Sequence, residues 1–174
     1  MAKNWYVITG GPSSGKTTTV NALQQRGYKT TIEHARHYID TQRIVGRTVA
    51  EIRANQQEFQ KSVTAMQIEQ EASLDPGEVV FLDRALPDAI AYYRFLNLSP
   101  DTALLEAVRS ASYKKVFLLD VLPLAADYAR TEDTAGQARI HELLFEVYSE
   151  LGHVVDRVPV LPSASRVDYI LANL

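Results

Sequence analysis

Residues 10–17 read Gly10-Gly11-Pro12-Ser13-Ser14-Gly15-Lys16-Thr17 and fit the pattern G-x-x-x-x-G-K-[ST]. The stretch follows an apolar run, residues 5–9, and opens a helical segment, residues 16–26, which is the setting in which such a loop binds phosphate. Backbone N–H groups surround the anion, the lysine reaches the β- and γ-phosphates, and the hydroxyl ligates Mg²⁺. The stretch therefore predicts a phosphate-binding loop, against the alternative of a glycine-rich turn with an incidental lysine.

Beyond this loop, apolar runs alternate with segments of helical periodicity. The predicted strands are residues 5–9, 28–32, 78–83, 115–120 and 153–158. The predicted helices are residues 16–26, one long helix from residue 49 that ends at Asp75-Pro76-Gly77, and residues 87–96, 100–109, 137–151 and 163–174. Continuous apolar strands that alternate with helices are typical of a parallel sheet covered on both faces. We therefore expect a doubly wound α/β sheet in a single domain spanning residues 1–174.

The overall composition limits the kinds of partner. The chain has 174 residues, a formal net charge of −3 and no cysteine. The acidic balance excludes a generic binder of nucleic-acid backbones, so any phosphate binding has to be local. The lack of cysteine excludes disulfides and thiolate zinc sites, and no apolar run approaches the ~18 residues of a membrane span. We expect a cytoplasmic protein whose partners are a nucleotide and a small molecule.

Two pairs of acidic and basic residues follow predicted strands. Asp83-Arg84 ends the third strand, where a carboxylate can hold a metal or a hydroxyl group and a guanidinium can hold a phosphate. Glu33 follows the second strand, with Arg36 one helical turn later, and ligands bind beyond the carboxyl ends of strands in such sheets. The alternatives are a strand-end salt bridge for the first pair and, for the second, a helix N-terminal acid with a solvated neighbour.

The last candidate region is a charged, lid-like segment from about residue 124 to residue 139. Its arginines, Arg130 and Arg139, are separated by acids and small residues, a composition typical of a mobile lid that closes on a triphosphate. A charged segment of this kind is equally typical of a solvated surface. Whether Arg139 belongs to the site stays open, as it does for Asp120 at the end of the fourth strand.

Several blocks, taken in order, resemble a known family: GGPSSGKTT, EHARHYI, FLDRALPDAIAYYR, DYARTED and VPVLPSASRVDYIL. Together they resemble the NadR-like AAA-type P-loop ATPase/kinase domain family, which takes in predicted bacterial ATPases and the domain of TRPL translocation defect proteins. More distantly, the chain is similar to ribosylnicotinamide, thymidylate and deoxynucleoside kinases. The resemblance runs from Trp5 to Ile170.

The resemblance implies a P-loop fold with strand order 2-3-1-4-5 and a role for each matching residue. Glu33, Arg36 and Arg84 are the expected substrate contacts, and Thr17 and Asp83 are the expected metal ligands. The residues expected to take part in catalysis are Lys16, Glu33, Asp83, Arg84 and Arg130. The residues expected to hold the nucleotide are Gly10, Gly11, Pro12, Ser13, Ser14, Gly15, Lys16, Thr17, Thr18 and Arg130.

These features favour a Mg²⁺- and ATP-dependent phosphotransferase that acts on a nucleoside-like or other small hydroxyl-bearing metabolite. The sequence has no N-K-x-D run, with which G-domain GTPases recognise guanine, and this favours ATP over GTP. The alternative is a nucleotide-binding module or slow ATPase or GTPase whose bound state changes a partner surface, with residues 87–109 as the contact. A nucleic-acid end kinase is a weaker third hypothesis. The acceptor and the oligomeric state stay open.

Overall fold

Five strands form one parallel sheet in the computed structural model, which describes residues 3–123 and 133–174. The strands are β1 (Trp5–Thr9), β2 (Lys29–Thr30), β3 (Val80–Asp83), β4 (Lys115–Leu119) and β5 (Val155–Val158). The helices are α1 (Lys16–Gln25), α2 (His34–Ile44), α3 (Val49–Ala54), α4 (Gln56–Ser73), α5 (Leu86–Phe95), α6 (Thr102–Ser110), α7 (Thr134–Glu150) and α8 (Ser163–Ala172). The strand order is β2-β3-β1-β4-β5, which confirms the α/β fold and the order that the resemblance implies.

The parallel register brings the carboxyl ends of three strands together. Ile8 in β1 is level with Asp83 in β3. The second strand is shorter than predicted and pairs with the outer side of β3, with Thr30 opposite Phe81. The phosphate loop after β1, Glu33 after β2 and Asp83 at the end of β3 therefore meet at one edge of the sheet.

Alternate side chains of the strands fill two cores, one on each face of the sheet. Trp5 and Val7 pack with residues of α5 and α7, whereas Tyr6 and Ile8 pack with residues of α1 and α8. A strand buried on both faces needs apolar side chains at every position, which is why β1 reads as a continuous apolar run. A smaller third cluster joins α2, α3 and α4. Among the described residues, no helix combines the length and apolar character needed to cross a membrane.

The single long helix predicted from residue 49 is wrong, because the structure divides it at Asn55 into α3 and α4. The backbone of Asn55 is not helical, at φ −110° and ψ 87°, and its side chain accepts a hydrogen bond from the Glu58 N–H at 3.1 Å. An asparagine side chain that takes over a backbone N–H in this way begins a new helix. Ile52 and Phe59, on either side of the break, still pack in one cluster, so apolar periodicity alone did not reveal the break.

The helix α7 begins three residues earlier than predicted, at Thr134 rather than Gln137. Asp133 caps this helix, because its side chain accepts a hydrogen bond from the Gly136 N–H at 2.8 Å. Residues 134–139, predicted as the end of a lid-like segment, are therefore helical. The rest of that segment, including Arg130, lies outside the described residues.

Substitution of Asn55 by alanine is expected to lower the free energy of unfolding by about 1 kcal/mol, because it removes the capping acceptor of α4. Gln57→Ala is the matched control, since Gln57 is exposed in the first turn of the same helix. Urea unfolding followed by circular dichroism measures both variants. Equal losses in the two variants would show that the Asn55 side chain does not begin α4.

Candidate functional site

The phosphate loop holds a conformation that requires glycine at two positions. Gly15 has φ +77°, in the left-handed region, and α1 begins at the next residue. A Cβ atom at Gly10 would lie 2.7 Å from Ser14 Oγ and 2.8 Å from the Leu119 carbonyl oxygen. This tight turn leads into the first N–H groups of α1, which have no partner within a helix and are suited to bind an anion.

Two side chains of α7 hold the phosphate loop from behind. Gln137 Nε2 donates hydrogen bonds to the carbonyl oxygens of Pro12, at 2.6 Å, and Leu122, at 2.9 Å. His141 Nδ1 accepts a hydrogen bond from the Gly11 N–H at 3.3 Å, so this ring nitrogen carries no proton. Burial lowers the pKa of His141, which favours the neutral ring that the contact requires.

A third support comes from Arg166 in α8. Its guanidinium is buried and donates hydrogen bonds to three carbonyl oxygens, those of Ser14, Asp120 (2.8 Å) and Pro159 (3.2 Å). The carboxylate of Asp120 lies 3.7 Å from His141 Nε2. Asp120 thus contributes to the support of the loop through its backbone and through His141, and it is not among the residues that line the neighbouring cavity.

Lys16 is held between two carboxylates. Its Nζ atom lies 2.8 Å from Asp83 Oδ1 and 3.7 Å from Glu33 Oε2. Lys16 and Asp83 are both almost fully buried, and the Asp83 N–H donates to Thr31 Oγ1 at 2.9 Å. A phosphate bound in the loop would therefore compete with Asp83 for the lysine.

Glu33 is the N-cap residue of α2 and lies close to three cations. Besides Lys16, Arg84 Nε lies 3.3 Å from Glu33 Oε1 and Arg36 Nε lies 4.0 Å from Glu33 Oε2. Burial raises the pKa of Glu33, but the charges of Lys16, Arg84 and Arg36 together outweigh it and lower this pKa to about 2. The carboxylate is therefore ionised at neutral pH, where it is suited to accept a hydrogen bond from a hydroxyl group rather than to keep its proton.

The backbone directs Arg84 into the site. Its φ of +67° is uncommon for a residue other than glycine, and its N–H donates to the Ile8 carbonyl oxygen at 3.0 Å. Arg84 Nη1 lies 3.5 Å from Asp88 Oδ1, and this buried carboxylate also accepts hydrogen bonds from the Thr9 and Tyr148 hydroxyls. An arginine fixed in this way needs little rearrangement to meet an anion.

A cavity of about 220 Å³ begins at the phosphate loop and continues past Glu33. On the side of the phosphate loop it is lined by residues 11–18 with Arg36 and Arg84. The rest of its wall comes from residues of α2 to α5 and the residue before α5, namely His34, Ala35, Ile39, Arg53, Phe59, Gln60, Val63, Thr64, Gln67, Ala85, Asp88, Ala89 and Tyr92. The cavity therefore combines a surface suited to an anion with a wall that carries aromatic rings and amide groups.

Most of the predicted site residues meet at this cavity. Those that line it are residues 11–18, Glu33, Arg36 and Arg84. Asp83 and Gly10 do not line it, because Asp83 lies against Lys16 and Gly10 lies against the strand end. Arg139 forms ion pairs with two glutamates of its own helix, at 3.7 Å and 3.0 Å, and is not a lining residue. Arg130 lies outside the described residues, so its role stays a prediction.

Sequence reasoning missed the polar side chains that α4 buries. Gln60, Thr64, Gln67 and Glu71 are all buried and lie four, three and four residues apart, which places them on one face of a helix. The spacing was the available signal, because polar residues at helical intervals on a helix that packs against the core need partners or a ligand. Sequence reasoning also missed Gln137, a buried residue of α7 whose amide supports the phosphate loop.

Comparison with known proteins agrees with this geometry. A family model described as "AAA domain" matches residues 5–166. No curated protein sequence matches the chain.

Solved structures of similar fold include NadR protein in complex with NR, at a TM-score of 0.70 and 16% identity over 98% of this chain and 50% of that one. They also include thymidylate kinase from Ehrlichia chaffeensis, at a TM-score of 0.69 and 13% identity over 99% of this chain and 98% of that one. Deoxyadenosine kinase from M. mycoides, with products dCMP and a flexible dCDP bound, matches at a TM-score of 0.65 and 13% identity over 97% of each chain. The chain thus spans about half the length of the NadR structure, and the fold is that of P-loop nucleotide kinases.

Acid is expected to destabilise the protein through Glu33. Because the pKa of Glu33 is about 2 in the folded state and 4.5 ordinarily, its contribution is complete above pH 4.5 and is lost as the pH falls toward 2. This contribution is at most about 3 kcal/mol. Urea unfolding of the wild type and Glu33→Gln between pH 7 and pH 3 measures it. As the pH falls, we expect the free energy of unfolding to decrease less in Glu33→Gln than in the wild type.

The control for this measurement is Glu106→Gln, which changes an exposed glutamate of α6. We expect this variant to follow the wild-type dependence on pH. If Glu33→Gln follows it as well, the three cations do not hold the Glu33 carboxylate in its ionised form.

Proposed function

The chain belongs to this AAA-domain family, and from that premise we propose that it is an ATP-dependent phosphotransferase acting on a nucleoside-like or other small hydroxyl-bearing metabolite. The observation that carries the proposal is the shape of the cavity. It connects the phosphate loop and the Glu33 carboxylate with a wall that carries aromatic and amide groups. A phosphate donor and a separate acceptor have room to meet beside Glu33.

The phosphate end of the cavity supports ATP as the donor. The glycines of the loop bring the backbone close to a phosphate, and Lys16 stands at the first position of α1 with its charge directed to the same space. Arg84 adds a second positive charge at the cavity wall. Two cations beside a phosphate chain are suited to stabilise the charge that spreads over the transferred group in the transition state.

The residues present also fit Mg²⁺. Thr17 is exposed and lines the cavity, and the carboxylates of Glu33 and Asp83 are close by, so the available donors are the hard oxygen atoms that Mg²⁺ prefers. In the described part of the chain, no cluster of three His, Asp or Glu side chains forms a metal cage. This agrees with an ion that keeps most of its ligands as water and phosphate oxygens. When bound, Mg²⁺ neutralises charge on the phosphates, and Thr17 with Asp83 would hold it, directly or through water.

The proposed reaction forms a bond between the acceptor oxygen and the γ-phosphorus and breaks the bond from that phosphorus to ADP. The bonding electron pair leaves with ADP, and the acceptor hydroxyl loses its proton to a carboxylate or to water. Glu33 is ionised and faces the cavity, so it would accept a hydrogen bond from this hydroxyl and orient it. Transfers of this kind depend on positioning and charge more than on a strong base.

A nucleotide-dependent switch is less well supported. It needs a responsive surface, and the sequence suggested residues 87–109 for that contact. Much of α5 is buried, including Pro87, Ile90, Ala91 and Tyr93, whereas most residues of α6 are exposed, so of these two helices α6 is the one that offers such a surface. A switch also has no use for a cavity that extends from the phosphate loop along α4 and α5.

The test is a transfer assay with Mg-ATP labelled in the γ-phosphate and a panel of nucleosides, ribosides and nucleoside monophosphates. We expect one class of acceptor to become labelled at a rate well above the hydrolysis of ATP in its absence. If turnover stays at background with every acceptor, the phosphotransferase proposal is wrong. Hydrolysis that no acceptor changes would support the switch instead.

Glu33→Gln is expected to lower the transfer rate by about 100-fold or more, because an amide cannot take the place of the carboxylate beside the hydroxyl. Binding of ATP should change little, since the loop N–H groups and Lys16, which bind the phosphates, are unchanged. Single-turnover transfer and direct titration with a non-hydrolysable ATP analogue separate the two effects. A loss of nucleotide binding as large as the loss of transfer would place Glu33 in the nucleotide site.

A further inference from the structure

The α4 wall of the cavity carries a polar group whose orientation is fixed. We infer that the acceptor presents a nitrogen-bound hydrogen to the carbonyl oxygen of Gln67, and that Glu71 is the positioning residue that imposes this requirement. The inference rests on the proposed function in one respect, namely that the molecule beside the α4 wall is the acceptor. It adds the chemical class of that acceptor.

Glu71 lies at the centre of a buried set of hydrogen bonds. Its Oε1 accepts hydrogen bonds from Gln67 Nε2 at 2.8 Å and from the Leu86 N–H at 3.0 Å, and its Oε2 accepts from the Tyr113 hydroxyl at 2.7 Å. Glu71 is 5% exposed, and it does not line the cavity. Burial raises the pKa of Glu71, but a backbone N–H can only donate, so Oε1, which accepts from the Leu86 N–H, is an acceptor toward Gln67 as well.

The amide of Gln67 therefore cannot reverse. Rotation by 180° would place its carbonyl oxygen against Glu71 Oε1, where two acceptors would face each other and a buried hydrogen bond would be lost. The nitrogen is directed to Glu71, outside the cavity lining. The polar atom that Gln67 offers to the cavity is consequently Oε1.

This oxygen is available to a ligand. Gln67 lines the cavity and is 6% exposed, and nothing in residues 3–123 or 133–174 donates a hydrogen bond to its Oε1. Oε1 is also not among the described side-chain atoms that lack both a partner and accessible surface. Its accessible surface therefore opens on the cavity, where a bound molecule without a donor would leave a buried acceptor unpaired.

Gln60 provides the contrast within the same helix. It lines the same cavity, it is buried, and in the described part of the chain it makes no hydrogen bond that would fix its amide. Gln60 is free to turn either its oxygen or its nitrogen toward a ligand. Discrimination between donor and acceptor groups therefore falls to Gln67.

The neighbouring side chains define the kind of molecule that carries the donor. Tyr92 lines the same cavity and provides aromatic surface, which suits a flat ring. A flat ring that bears an amino group, an amide or a ring N–H meets both requirements. We therefore expect nitrogen heterocycles with a hydrogen-bond donor on the edge that faces α4, and we expect rings with acceptors alone to be rejected.

The experiment measures binding of matched pairs of nucleosides to the full chain by isothermal titration, without ATP. Adenosine is paired with purine riboside, cytidine with 2-pyrimidinone riboside, and thymidine with N3-methylthymidine. The members of each pair differ in one donor group, which is an amino group in the first two pairs and the ring N3–H in the third. The wild type is expected to bind the donor-bearing member of the preferred pair about tenfold or more tightly, since a buried unpaired acceptor is costly. Equal affinity within every pair, or no binding by any member, would overturn the inference.

Two variants test the roles of the residues. Gln67→Met removes the oxygen at similar length and should abolish the preference mainly by weakening the donor-bearing member. Glu71→Gln supplies an amide that can donate to Gln67, so Gln67 is free to reverse and the preference should fall to within about twofold. Glu69→Gln is the control, because Glu69 is exposed on the same helix. A wild-type preference retained in Gln67→Met overturns the inference even where Glu71→Gln does not fold.

The same pairs distinguish this inference from the proposed function. Thermal unfolding of each variant reports on stability, whereas the ratio of affinities within a pair is not changed by a merely structural role. The transfer assay with labelled ATP is read separately. If the protein prefers the donor-bearing nucleosides in titration but transfers no labelled phosphate to any of them, the role of Gln67 is supported. The phosphotransferase proposal is then contradicted.

Discussion

The ion pair between Lys16 and Asp83 joins the two strands on which the whole site depends. Lys16 opens the helix that follows β1, and Asp83 ends the adjacent strand β3. Both are buried, so each charge requires a partner of opposite sign. The backbone pairing of β1 with β3 sets the register, and the ion pair adds a side-chain link between the phosphate loop and the end of β3.

The charges around this pair are nearly balanced within a small volume. Glu33 and Asp83 face Lys16, Arg36 and Arg84, while a second buried acid, Asp88, holds Arg84 from the other side. Such a set tolerates one more anion better than a purely acidic pocket would, because a phosphate can take over cations that the carboxylates share. The slightly acidic protein can therefore offer a local anion site.

Much of this could be predicted from the sequence, and the reasons are physical. The phosphate loop has a fixed pattern, and residues that follow parallel strands must meet at one sheet edge. Lys16, Glu33 and Arg84 accordingly line one cavity, and their roles stay predictions. The strand order came from the family resemblance, because apolar runs carry no information about which strands are neighbours. The break at Asn55 was missed because the apolar face continues across it.

Polar side chains whose hydrogen-bond partners are far away in the sequence were harder to predict. Gln67 and Glu71 look like surface residues of a glutamine-rich helix until the neighbouring Leu86 N–H and Tyr113 hydroxyl are known. Gln137 and Arg166 are separated from the loop that they support by more than a hundred residues. Local patterns describe the elements, whereas contacts between distant parts of the chain decide what those elements hold.

The support of the phosphate loop also bears on the order in which the protein matures. Residues 10–17 are synthesised before α7 and α8, but the carbonyl oxygens at the back of the loop receive their donors from these two helices. A nascent chain that ends before Arg166 has the complete phosphate-binding sequence and lacks one of these donors. Its loop would be unfinished, so nucleotide would bind chiefly to chains whose synthesis has passed α8 and would favour them over incomplete ones.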